Sequence, residues 1–155
     1  MINPIFEVER FVKDRKLDKQ KFDEMQVCTN ILEEMFEMLG YDVPKEERDW
    51  LMMDFMRFID RQVEGCVARK KENHTDDDRI DALSDIRVFC IDATMKLGYE
   101  PKCTLNETAK EINSRKQDPE QAKNWKDGDK WQKDRNQDPS TLYKADYDKC
   151  KIKED

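Results

Sequence analysis

The chain has 155 residues, the size of one ordinary domain, and its 29 Lys and Arg against 36 Asp and Glu leave a net charge of −7. That acidic balance excludes a dedicated duplex-DNA binder, whose footprint is basic, and suits a cationic ligand such as a metal ion. With 42% charged and 37% hydrophobic residues the material for a monomeric core is modest, and only 4 Gly and 5 Pro argue against a many-turned β-sandwich or barrel, so long helices are expected.

Residues 5–16 read as a short amphipathic helix with Phe6, Val8, Phe11 and Val12. Asp18 is placed to cap a second helix, in which Phe22, Met25, Ile31, Leu32, Met35, Phe36 and Leu39 recur at helical spacing before Gly40; Pro44 blocks its continuation. A third runs from near Lys45 to about Arg69 through Trp50, Leu51, Met53, Phe55, Phe58, Ile59 and Val63, with Gly65 a weak point. A polar loop, residues 70–75, follows. Thr75 and the acidic turn Asp76-Asp77-Asp78 suit the start of a fourth helix, which carries Ile80, Leu83, Ile86, Phe89, Ile91, Met95 and Leu97 to Gly98. The words Leu39-Gly40-Tyr41 and Leu97-Gly98-Tyr99 are two similar helix stops. Beyond Pro101 a short helix is expected at about residues 104–115.

The domain boundary is drawn at residue 116, giving a helical domain 1–116 and a C-terminal arm 117–155. Residues 116–155 hold ten basic and ten acidic residues and few aliphatic ones, with Trp125, Trp131, Tyr143 and Tyr147 set among turn-like Asp127-Gly128 and Asp138-Pro139. Such a segment makes no core of its own, and it is expected to lie as an extended arm on its own or a neighbouring subunit, near the mouth of the site. No stretch approaches the ~20 apolar residues that span a bilayer, and Met1-Ile2-Asn3-Pro4 has no basic flank or apolar run, so a soluble, cytoplasmic chain without membrane contact is expected. Five cysteines without a CxxC pair, Cys28, Cys66, Cys90, Cys103 and Cys150, predict free thiols in a reducing compartment.

Glu33, Glu34 and Glu37 stand at i, i+1 and i+4 of the second helix, within an arc of roughly 100°. Asp81, Asp85 and Asp92 share a face of the fourth. Neither Glu33, Glu34, Asp81 nor Asp85 has a Lys or Arg at i+4, and like charges one turn apart oppose a helix by roughly 0.2–0.5 kcal/mol each. The flanking positions are apolar. Two readings follow: ordinary solvated acidic faces, or a site for a hard divalent cation, where oxygen ligands without His or Cys select Mg²⁺, with Mn²⁺ as substitute. No GxxxxGK[ST] or GxGxxG word occurs, the single His74 rules out a His-based di-iron bundle, and Asp76-Asp77-Asp78 lacks the Gly and closing Glu of an EF-hand loop. Met25, Met35, Met38, Met52, Met53 and Met56 are read as adaptable core or dimer packing.

The word Ile31-Leu32-Glu33-Glu34-Met35-Phe36-Glu37 resembles the EExxE motif of the MazG-like all-α nucleoside triphosphate pyrophosphohydrolases, and Asp81-Ala82-Leu83-Ser84-Asp85 resembles their second acidic motif. The resemblance covers roughly residues 22–116 and is nearest to phage-type members, with Glu111-Ile112-Asn113-Ser114-Arg115-Lys116 as a further similar segment. The family's usual ExxD has a Glu where Ala82 stands, one position from Asp81. The resemblance implies an antiparallel helix bundle, a dimer or tetramer, and a location in the host cytoplasm if phage-encoded. It implies hydrolysis of a (deoxy)nucleoside triphosphate between its α and β phosphates to monophosphate and pyrophosphate. In that role Glu34, Glu37, Asp81 and Asp85 are the metal ligands and Glu33 or Glu34 orients the attacking water. Lys110, Asn113, Arg115 and Lys116 meet the substrate, and Asp92 is an additional outer ligand. The alternative is a non-catalytic helical interaction protein using its acidic face and aromatic tail.

Overall fold

Four of the five prolines follow a residue whose side chain accepts a hydrogen bond from the turn beyond. In this computed structural model, which describes residues 3–126, 129 and 131–153, Asn3, Glu100, Asp118 and Asp138 each cap the element begun by the next proline. Proline presets φ for a first helical position and lacks an N–H that would otherwise go unpaired there, while the capping oxygen satisfies the amides behind it. This device starts α1 (Pro4–Asp14), α5 (Pro101–Ser114), α6 (Pro119–Lys123) and the one-turn 3₁₀ segment Pro139–Thr141. It begins α5 three residues before the sequence reading and makes a helix of 119–123, which that reading left in the arm. The remaining helices are α2 (Glu24–Met38), α3 (Arg48–Glu64) and α4 (Asp76–Lys96). Among the described residues there is no β-strand, only isolated bridges of Tyr99 with Lys151 and Gln117 with Lys133, so the chain is all-α. No helix among them is long and apolar enough to cross a membrane. The Asp127-Gly128 turn lies outside the described residues.

Two boundaries move for local reasons. Asp18 sits in a 3₁₀ turn (Leu17–Lys19) behind the left-handed Lys16, and Asp23 caps α2, accepting from the Gln26 amide at 3.0 Å. α3 starts after a separate 3₁₀ turn, Lys45–Glu47, and ends at Glu64, short of Arg69. The two Leu-Gly-Tyr stops hold as read. Gly40 (φ 85°) and Gly98 (φ 82°) are left-handed, with Tyr41 N–H donating to Phe36 O (2.9 Å) and Tyr99 N–H to Thr94 O (3.1 Å). These are six-residue closures of the Schellman type, and Phe36 and Tyr41 rings meet edge-on at 6.3 Å across the first of them. α3 closes the same way, but its left-handed residue is Cys66 (φ 59°) instead of Gly65.

The chain divides into two compact units. One comprises the residues up to Lys21 together with those from Asp76 onward, and the other is Phe22–Thr75. Residue 116 falls inside the first.

In the first unit α1 lies along α5, which turns the fully buried Ala109 inward. Asn113 Nδ2 donates to Glu7 O at 3.1 Å. Arg15 donates to Arg115 O at 2.7 Å, placing its charge at the carbonyl end of α5, and stacks 4.1 Å from the Phe11 ring and 4.8 Å from that of Trp131. The arm then climbs α5 from its end toward its start. Gln137 Nε2 donates to Ser114 O (2.9 Å), Tyr143 N–H to Ser114 Oγ (2.9 Å), Ala145 N–H to Glu111 (3.2 Å) and Asp146 N–H to Glu107 (3.2 Å). Cys150 closes a disulfide to Cys103, with 5.4 Å between their Cα atoms. Ser114, Glu111, Glu107 and Cys103 are spaced three, four and four residues apart, so they form one face of the helix. The arm thus docks on its own chain, and two of the five cysteines expected free are paired. Their separation of 47 residues hides the pair in the sequence. Closing such a loop restrains the unfolded chain by about 4 kcal/mol.

In the second unit α2 packs on α3. Its one buried residue among those described, Thr29, donates to Met25 O at 2.7 Å, and the exposed loop residue His74 stands 3.3 Å from Glu24. Across the described residues the fully buried apolar side chains are Ala109 and Cys150 alone.

Left-handed backbone costs an ordinary L-residue about 1–2 kcal/mol, which glycine does not incur. Cys66→Gly is therefore expected to stabilise the α3 closure by about 0.5–1 kcal/mol, read as a higher denaturant midpoint at unchanged slope. A lower midpoint would show that Cys66 holds its place by contacts outside the backbone.

Candidate functional site

The three glutamates of α2 separate into two kinds. Glu33 pairs with Arg48, whose Nε lies 2.7 Å from its carboxylate, and Arg48 also reaches Asn30. The missing i+4 cation is thus supplied from the first residue of α3. Glu34 and Glu37 are exposed, and Glu37 has no ion-pair partner among the described residues.

On α4, Asp81 and Asp85 are exposed one turn apart, and neither has an ion-pair partner among the described residues. Asp92, by contrast, holds Lys96 at 2.5 Å, at i+4. Among the described residues no group of three or more His, Cys, Asp or Glu is arranged to hold a metal ion. The stripes therefore present carboxylates singly or in pairs within each unit. Pairs of hard oxygen ligands fit Mg²⁺, which commonly keeps several waters and is held by one or two carboxylates together with substrate phosphates.

The cationic candidates on α5 are mostly engaged. Lys110 Nζ lies 2.7 Å from Glu107, Arg115 3.1 Å from Glu111, and the Asn113 amide is bonded to α1. Lys116 is exposed, with no ion pair among the described residues; its main chain accepts from Asp134 N–H at 2.8 Å and donates to Gln137 at 2.7 Å.

The strongest electrostatic feature was not legible in the sequence. Glu107 has no exposed surface, yet it is surrounded by donors: Lys110 Nζ at 2.7 Å, Lys149 Nζ at 2.8 Å, the Asp146 amide at 3.2 Å and the Tyr143 hydroxyl. Burial alone pushes such a carboxyl up. Here the hydrogen bonds from Lys110, Lys149, Tyr143 and Asp146 outweigh it and hold Glu107 well below the usual carboxylate range. Lys149 is pushed above its ordinary value by its bond to Glu107. Three of these four donors, Tyr143, Asp146 and Lys149, come from the distant arm, so Glu107 looks like any of the chain's 36 acidic residues until the arm folds back.

The first unit also holds a mostly apolar cavity of 750 Å³, walled by α1, α4, α5 and the arm through side chains that include Val8, Ile91, Leu97, Tyr99, Leu105 and Tyr147. Tyr147 is fixed there by a 3.0 Å contact of its hydroxyl with Thr108 Oγ1. Comparison of the chain with family models, curated proteins and solved structures finds no match.

A carboxyl whose folded value lies below its unfolded value of 4.5 contributes stability that is complete above that pH and is lost as pH falls below it. A lysine raised above 10.5 contributes stability that is complete below that pH and is lost above it. Thermal stability of the first unit is therefore expected to be insensitive to this cluster between about pH 4.5 and 10.5 and to fall on both sides. Glu107→Gln should lower the plateau by about 1–3 kcal/mol and flatten the acid limb; calorimetry across pH decides, and an unchanged acid limb would show that Glu107 does not control it.

Proposed function

We propose that the chain is a divalent-cation-dependent nucleoside triphosphate pyrophosphohydrolase. The observation that carries this reading is selective pairing of acids on the two resembling helices. Glu33 and Asp92 have cations, whereas Glu37, Asp81 and Asp85 stand exposed without an ion-pair partner among the described residues, in a chain with 29 Lys and Arg. Leaving like charges one turn apart on α4 costs helix stability, and a cationic ligand offsets that cost. Those positions are also the ones in which the chain resembles the MazG-like enzymes.

In this reading Asp81 and Asp85, one turn apart on α4, hold Mg²⁺, or Mn²⁺ in its place, and Glu34 and Glu37 on α2 are the further ligands that the resemblance implies. When bound, the cation neutralises phosphate charge and lowers the pKa of a coordinated water. Glu33 or Glu34 orients the attacking water toward the α-phosphorus, and Arg48 fixes the direction of the Glu33 carboxylate. Lys116 offers charge to the outer phosphates, since Lys110 and Arg115 are held by Glu107 and Glu111. The leaving group is pyrophosphate and the other product the nucleoside monophosphate, a reaction suited to controlling or cleaning a nucleotide pool. The alternative of a non-catalytic interaction module has weaker support, because Trp131, Tyr143 and Tyr147 of the arm are engaged by α1 and α5.

The reading includes self-association. α4 carries apolar side chains around its circumference, a pattern normal for a buried helix, yet Val88, Phe89 (67% exposed), Ile91 and Met95 are exposed; so are Met38 and Leu39 of the α2 end and Trp50 of α3. A second copy of the chain is the proposed cover.

Pyrophosphate release, measured across canonical and modified deoxynucleoside triphosphates, is expected to require Mg²⁺ or Mn²⁺. Glu34→Gln, Glu37→Gln, Asp81→Asn and Asp85→Asn should each lower it by about 100-fold or more with the helical circular dichroism retained. Full turnover in chelator, or in all four variants, overturns the reading. Sedimentation at micromolar concentration is expected to show a dimer or tetramer, and a monodisperse monomer would reject self-association.

A further inference from the structure

We propose that the Cys103–Cys150 disulfide is a redox latch that holds the last segment of the arm, residues 147–152, closed over the α1/α4/α5 cavity. The arm is fastened at two separate levels. Its upper part, residues 143–146, is held by Ser114, Glu111 and the buried Glu107, groups that a thiol reagent leaves untouched. Its end is tied by Glu100 N–H to Cys150 O and Ile152 N–H to Gly98 O, both at 2.8 Å, by the Tyr147 to Thr108 contact, and by the ion pair of the half-exposed Lys149 with the buried Glu107. Single hydrogen bonds contribute modestly, and the Lys149 pair leaves from a long, half-exposed side chain. The disulfide is the covalent fastening of this segment and the one that chemistry can switch.

What it fastens is a wall. Tyr147 and Tyr99 both line the cavity; Tyr99 is bridged to Lys151, next to Cys150, and Cys103 sits one residue from Thr104, a further lining residue. Releasing Cys150 frees Tyr147 to leave that wall and removes the strand-like partner of residues 98–100.

The two sulfurs differ in access. Cys150 is 2% exposed, whereas Cys103, at the start of α5, is only half-buried. A thiolate of an external dithiol accordingly attacks Cys103 Sγ. Its S–S bond to Cys150 breaks and the pair of electrons leaves on Cys150, which takes a proton. The second thiol of the reagent then displaces Cys103 as its own disulfide forms. One dithiol is oxidised and one protein disulfide reduced, a two-electron, two-proton exchange.

The experiment uses the full oxidised chain. Alkylation without denaturant should count three thiols, Cys28, Cys66 and Cys90, and five after dithiothreitol. Residue-resolved hydrogen exchange should then show the Cys150 and Ile152 amides speeding up at least tenfold, with Ala145 and Asp146 much less affected and the α5 amides unchanged. Cys150→Ser and Cys103→Ser should each reproduce the reduced pattern and lose the response to dithiothreitol; reduced wild type stands in for either if it fails to fold. Five thiols before reduction, unchanged exchange at 150 and 152 after it, or a rise shared by α1, α4 and α5 would each overturn the latch, the last by making the bond a staple of the whole unit. None of these readouts depends on nucleotide hydrolysis.

Discussion

A carboxylate removed from water needs several donors to remain charged, and that requirement on Glu107 organises the first unit. One donor, Lys110, comes from the same helix; the others come from Tyr143, Asp146 and Lys149 of the arm. An unpaired buried charge is among the most destabilising features a fold can contain, so α5 can bury Glu107 only with the arm in place. The same face of α5 carries Ser114, Glu111 and Cys103 to the rest of the arm. A segment with balanced charge and almost no aliphatic residues is thereby ordered by hydrogen bonds, the three aromatic anchors Trp131, Tyr143 and Tyr147, and one covalent bond instead of by an apolar core.

This accounts for how the charged groups are distributed. Cations near α5 neutralise Glu107 and Glu111, Arg48 neutralises Glu33 from the neighbouring helix, and Lys96 neutralises Asp92. Asp81 and Asp85 are outside every such arrangement among the described residues. Structural acids and candidate site acids are therefore distinguished by their partners and not by their spacing, which is similar on α2, α4 and α5. The same distinction removes Lys110 and Arg115 from the simplest picture of phosphate binding and leaves Lys116.

The apolar material is distributed differently again. Little of it is fully buried within either unit, and α4, whose apolar side chains are spread around the helix among its acids, exposes much of it. Apolar surface of this extent is a normal property of chains that complete their cores with a partner. It also explains why polar contacts and a disulfide hold so much of the first unit together.

Local chemistry was readable from the residues: the all-α class, the Leu-Gly-Tyr stops at Gly40 and Gly98 and the acidic start of α4 all depend on neighbours within about a helical turn. Where reading failed locally, a nearer competitor won: Asp23 over Asp18 as cap, and Pro101 over a later start for α5. What only the tertiary structure decided are relations between distant residues, namely the burial of Glu107, the Glu33 to Arg48 pair and the Cys103 to Cys150 bond. Periodicity reports which residues share a face, but a face's partner depends on how the chain returns to it, and an arm of charged residues and scattered aromatics carries no period from which that return can be read.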